Sequence, residues 1–203
     1  MKSLSEIDTV SKRATRASGF DWGIAEEVGK NIRILEMLGI PGIKNLNHYF
    51  KIRSKKNFEI IKNISQENKK VQLEYCPIIV GVNFLDQVRS LEILNKIKIY
   101  KMAYPLLFLP FLSRASEVVG KKILLEIDNS KFLLNFNKSI YCNSINYGIV
   151  TIGNIISVKF LENIDSFEES EWKELYKLSE NTFVEENDSL KQSGAGAGLT
   201  DND

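Results

Sequence analysis

Between residues 14 and 27 the chain sets an arginine, a glycine, an aspartate, a tryptophan and two adjacent glutamates in one stretch, Ala14-Thr15-Arg16-Ala17-Ser18-Gly19-Phe20-Asp21-Trp22-Gly23-Ile24-Ala25-Glu26-Glu27. Arg16 carries a planar, permanent charge that can clamp a carboxylate or phosphate through two hydrogen bonds. Trp22 can stack on a ligand, Asp21 can bond to one, and a glutamate can move a proton. Glu26 and Glu27 point about 100° apart on a helix and cannot share a proton as a close dyad. Glu26, four residues after Trp22, falls nearer the buried face and is the better candidate for a desolvated carboxylate with a raised pKa. Each residue also has a plainer role. The glutamates complement a helix N-terminus, Arg16 pairs with Asp21 or Glu27, Trp22 anchors a core, and Asp21 caps a helix.

A second concentration of chemistry is the stretch Gly194-Ala195-Gly196-Ala197-Gly198-Leu199-Thr200-Asp201-Asn202-Asp203. Its glycines, Gly196 and Gly198 among them, can bring backbone N–H groups around an anion, but the lysine and following helix of a phosphate-binding loop are missing. Asp201 and Asp203, with Asn202 and the terminal carboxylate, offer hard oxygen ligands to a divalent cation such as magnesium or calcium, or partners for Arg13 and Arg16. The plainer reading is a mobile tail. His48 is the sole histidine and has no cysteine or aspartate at triad spacing.

Composition narrows the field. A net charge of +1 over 203 residues argues against a dedicated nucleic-acid binder. Cys76 and Cys142 stand far apart, which excludes a zinc site built on paired Cys-x-x-Cys motifs. The apolar run from Ala103 to Leu112 holds two prolines and is about half what a membrane span needs. No apolar leader precedes the first helical pattern, so the expected location is the cytoplasm, with no membrane partner.

The elements that must position these residues follow from spacing. Ser3-x-x-Glu6 is a capping box, predicting a helix from Leu4 with Leu4, Ile7, Val10 or Ser11, and Ala14 on its apolar side. Gly19 ends it. Trp22, Ala25, Val28, Ile32, Leu35 and Leu38 predict a second helix, stopped by Gly39 and Pro41. Short helices are predicted over 43–52 and 57–64, an exposed turn over 66–70, a strand over 75–81 and helical spacing from Leu85 to Lys96. An extended run follows to Pro105, and Ser113 is predicted to cap a brief helix ended by Gly120. Strands are predicted at 123–127, 132–136 and 139–142, then at 148–152 and 155–160 across a Gly153-Asn154 hairpin. A last helix is predicted over 168–184, burying Trp172, Leu175, Tyr176, Ser179 and Phe183.

Consecutive strands joined by tight turns require an antiparallel sheet. The expected class is therefore α+β, a single domain over 1–203: helical to 68, mixed over 71–120, β-rich over 121–161, then the last helix and the glycine-rich tail over 193–203.

The joint motif from Ala14 through Trp22-Gly23-x-Ala25-Glu26-Glu27-x-Gly29, together with Cys76-Pro77-x-x-x-Gly81, the run Pro105 to Phe111 and the Gly194–Asp203 tail, resembles a family of small bacterial proteins of unknown function. The resemblance implies no activity or cofactor, and it marks joint and tail as a functional pair. Two expectations follow. In the first, a small anionic molecule is held by Arg16 between joint and tail, with Glu26 or Glu27 moving a proton and Asp201 and Asp203 binding a divalent cation. In the second, the chain is a non-catalytic subunit whose tail docks on a partner, a homo-oligomer included.

Overall fold

The first helix starts where the Ser3 hydroxyl accepts the backbone N–H of Glu6 at 3.1 Å, and in the computed structural model α1 runs over Leu4–Ala17. The structure describes residues 2–69, 72–135, 139–143 and 148–182. Gly19, at a φ of 92°, makes the left-handed turn that closes α1. Helix α2 then spans Trp22–Met37 and α3 spans Gly42–Arg53. A methyl group on Gly29 would stand 2.6 Å from Asp8 Oδ1 and 2.8 Å from the Asp8 carbonyl oxygen, so a glycine is what lets α1 and α2 meet there.

That close crossing decides which side of α1 is covered. The buried residues are Ser11 and Thr15, with the Thr15 hydroxyl donating to the Ser11 carbonyl at 2.7 Å. On the apolar side Leu4 and Val10 are left exposed, while Ile7 and Ala14 are partly buried. On α2, Ala25, Val28, Ile32 and Leu35 bury as their spacing predicts, but Trp22 is 55% exposed. As the first helical residue it lies ahead of the turn that packs, which overturns its expected role as a core anchor.

Three further expectations are corrected between residues 57 and 81. The predicted helix over 57–64 is an irregular extended segment. Ile61 and Ile64 do bury, but side chains of the following helix hold their backbone. Asn83 donates to the Ile61 carbonyl, Gln87 donates to the Lys62 carbonyl at 2.9 Å, and Gln87 accepts from the Ile64 N–H at 3.1 Å. The predicted turn over 66–70 contains strand β1, Glu67–Asn68. The predicted strand over 75–81 instead opens helix α4, Pro77–Leu91, with Pro77 in its first turn and the Cys76 sulfur accepting the Ile79 N–H at 3.4 Å.

Strand β2, Ile97–Ala103, leads through a 3-10 turn at Pro105–Leu107 into α5, Leu109–Val119, which begins well ahead of Ser113. Next come β3, Lys122–Ile127, β4, Ser130–Leu134, β5, Ile140–Cys142, and β6, Ile152–Leu161. No hairpin forms at Gly153-Asn154, because β6 runs straight through it. The Asp128 carboxylate accepts the N–H of Asn154 at 3.1 Å and of Ile155 at 2.9 Å, tying those amides to the β3–β4 turn.

The six strands lie in the order β1-β2-β6-β3-β4-β5, antiparallel except for the parallel β1–β2 pair. The fold is α+β. Ile97, Ile99, Ile123, Leu125, Ile156 and Val158 share one core with Phe84 of α4 and with Phe108, Phe111 and Leu112 at α5. Contacts divide the chain into two units, Met1–Asn163 and Ile164–Asp203. In the second, α6 spans Glu169–Ser179, and Trp172, Leu175, Tyr176 and Ser179 are all exposed, against the expected burial. Phe183 and the tail lie outside the described residues. No described helix is long and apolar enough to cross a membrane.

Candidate functional site

Turning from α1 into α2 across Gly19 buries Phe20, which is 3% exposed, and gathers cations around it. Arg16, on the last turn of α1, donates from Nη1 to the Phe20 carbonyl at 3.0 Å, and its guanidinium carbon lies 5.7 Å from the centre of the Trp22 ring. Arg53, on the last turn of α3, places its guanidinium carbon 4.2 Å from the centre of the Phe20 ring. Neither arginine pairs with a carboxylate among the described residues. Asp21 occupies the cap position of α2 without a side-chain capping bond.

The glutamates separate. Glu26 is exposed on α2, not turned towards the buried face as expected. Glu27 points to α5, where it forms an ion pair with Arg114 and accepts from Lys30 at 3.0 Å. Burial raises its pKa, but the hydrogen bonds and charges of Arg114 and Lys30 outweigh that and hold it below the ordinary carboxylate value. Glu27 is thus a fixed anion bracing α2 against α5. Gly196, Gly198, Asp201 and Asp203 lie outside the described residues, and the described residues hold no group of three metal-binding side chains.

Sequence reasoning missed Arg53. Its guanidinium faces a hollow of about 390 Å³ between the ends of α1 and α3, lined also by Ser18, Phe50, Ser54, Lys56 and Asn57. Lys56 pairs with Glu74 at 2.7 Å, which lowers the Glu74 pKa. The Ser18 and Ser54 hydroxyls donate to the Ala14 and Lys51 carbonyls, so neither has a proton left to offer an anion. The donors lining the hollow are the Asn57 amide and Arg53, which also donates to the buried Tyr49 hydroxyl, with Lys56 beside them. The run Arg53-Ser54-Lys55-Lys56 was legible as basic, but it reads as a solvated connector.

Behind Arg53, the Tyr49 hydroxyl lies 2.9 Å from the Cys76 sulfur in full burial. Burial, with the neighbouring sulfur, pushes the Tyr49 pKa up, and burial pushes the Cys76 thiol up against the hydrogen bonds that would lower it. Both stay protonated at neutral pH, so Cys76 is no thiolate nucleophile.

On the other side of Phe50, a trough of about 310 Å³ runs between α1 and α3, lined by Ile7, Val10, Ala14, Ile43, Leu46 and Phe50. It is the partly covered apolar stripe of α1 facing an apolar stripe of α3.

Residues 2–74 match a family described as Protein of unknown function (DUF3726). That span holds α1, α2, α3 and β1, and with them both hollows. The match agrees with the resemblance read from the sequence at the level of a family of unknown function. No curated protein matches the chain. No solved structure matches it either.

Proposed function

We propose that this chain is a binding protein for a small anionic molecule, a carboxylate or phosphate compound, held in the hollow between the C-terminal ends of α1 and α3. Arg53 carries the reading. Its guanidinium is half-buried, set against the Phe20 ring at 4.2 Å, and without a carboxylate partner among the described residues. A cation partly withdrawn from water gains most from an anion when its plane is already fixed, because less side-chain entropy is then lost on binding. Asn57 adds a neutral donor and Lys56 a second positive charge, while Arg16 holds the Phe20 backbone and so acts on the site from behind. The anion-binding role moves from Arg16 to Arg53, and no proton transfer is assigned, since Glu27 is engaged with Arg114 and Glu26 is exposed. A reducing compartment such as the cytoplasm suits the buried Cys76 thiol.

The test is calorimetric titration of the full chain with inorganic pyrophosphate and with citrate, alongside thermal unfolding. At 100 times the dissociation constant, a bound anion adds about 2.7 kcal/mol of stability. Loss of heat and of anion-induced stabilisation in Arg53→Gln, whose melt in the absence of anion falls only by the small loss of the Phe20 contact, supports the reading. Equal binding by Arg53→Gln, or no response to either anion, removes it.

A further inference from the structure

The trough between α1 and α3 has a different chemistry and a different occupant. Its walls are two helical ridges. Ile7, Val10 and Ala14 follow one another at intervals of three and four residues on α1, as do Ile43, Leu46 and Phe50 on α3. Both helices lean on α2, and the gap between them is lined by residues of α1 and α3. Val10, at the centre of its stripe, is 60% exposed, and Ile43, which opens the other, is 45% exposed, unusual for residues on such stripes. Two parallel rows of apolar knobs at this spacing match the stripe of another helix, which inserts side chains at i, i+3, i+4 and i+7.

The rims decide what flanks that stripe. Lys2 and Glu6 stand on the α1 side and Asn47 on the α3 side. Arg13 lies seven residues after Glu6 on the same ridge, while Lys44 and Lys51 lie three before and four after Asn47. Glu6 is already paired with Lys2 at 2.8 Å. Arg13, Lys44 and Lys51 are exposed and pair with no carboxylate among the described residues. The rims are therefore basic around an apolar floor.

We infer that the α1–α3 trough is a docking groove for an amphipathic helix of a partner protein whose apolar stripe is flanked by aspartate and glutamate. The apolar residues supply the contact area and the basic rims select the flanks. This inference stands apart from the anion site, since Val10 and Ile43 lie away from Arg53 and line only the trough.

The experiment uses the full chain and two fluorescein-labelled synthetic peptides of about 18 residues. They share a leucine stripe at i, i+3, i+4 and i+7 and differ only in carrying glutamate or lysine on the flanks. Fluorescence anisotropy is expected to show the glutamate peptide binding at least tenfold more tightly than the lysine peptide. Binding is expected to be lost in Val10→Asp and in Ile43→Asp, and to weaken at least fivefold in the Arg13→Glu, Lys51→Glu double variant. Because these positions are exposed, each variant should melt as the parent does, and that melt is recorded with every titration. No binding of either peptide, equal binding of both, or full binding by Val10→Asp in a folded protein would overturn the inference. So would association with phosphatidylglycerol vesicles in the absence of any peptide binding, which would make the basic trough a lipid surface.

Discussion

Arg53 lies with its guanidinium carbon 4.2 Å from the centre of the Phe20 ring, so the last turn of α3 is fastened to the buried residue of the turn between α1 and α2. Replacing Arg53 by lysine keeps the charge but loses the planar face that rests on the ring. We expect Arg53→Lys to cost about 0.5–1 kcal/mol in urea unfolding and to weaken pyrophosphate binding by about tenfold. Unaltered pyrophosphate affinity would show that charge alone matters there.

The Glu27–Arg114 pair gives the protein a pH dependence of known sign. The folded pKa of Glu27 is held below its ordinary 4.5, so its stabilisation is fully present above that value and is lost as pH falls through the folded pKa. Glu27→Gln is expected to destabilise by about 1–2 kcal/mol at pH 7. The difference from the parent should narrow as the acid limb is entered. Urea midpoints measured from pH 7 down to pH 3 check this, and a constant gap would contradict the assignment.

Gly29→Ala is expected to force α1 away from α2, because the added methyl would meet the Asp8 backbone as well as its side chain. Overpacking of this kind costs about 1–3 kcal/mol, whereas the same change at an open helical site such as Gly23, where nothing lies within 4 Å, should stabilise. Thermal melts of the two variants, moving in opposite directions, check the crossing.

Asn31 is 2% exposed on α2, and its side-chain amide has no hydrogen-bond partner among the described residues. Asn31→Leu removes that penalty at similar volume and is expected to raise stability by about 1–2 kcal/mol. A lower urea midpoint would mean that the amide is engaged in solution.

The legible parts of the fold are those governed by local rules. Ser3 as a cap, the Ala25-Val28-Ile32-Leu35 face, Gly19 and Gly39 as helix ends, and the β3–β4 hairpin all depend on neighbours in sequence. The misread parts depend on partners far along the chain. Phe58, Ile61 and Ile64 have helical spacing, but Asn83 and Gln87 supply their backbone bonds. Gly153-Asn154 has turn chemistry, but Asp128 claims the amides at Asn154 and Ile155.

Pro77 was ambiguous in kind, since proline serves equally as a strand edge and as the first residue of a helix. At the candidate site, Arg16 and Phe20 were visible as a joint. Arg53 was not, because only the return of α3 beside α1 brings it to the same ring.

The place of β6 in the sheet sets the order in which this fold can be made. It is the last strand of the first unit along the chain, yet it stands between β2 and β3 and pairs with both. Until residues 152–161 leave the ribosome, β1–β2 and β3–β4–β5 are separate ribbons, each with an open edge where β6 will enter. Nearly the whole first unit must therefore be synthesised before its core can close. The nascent chain carries two templates for strand addition during that interval, and this is the stage at which a chaperone would have most to protect.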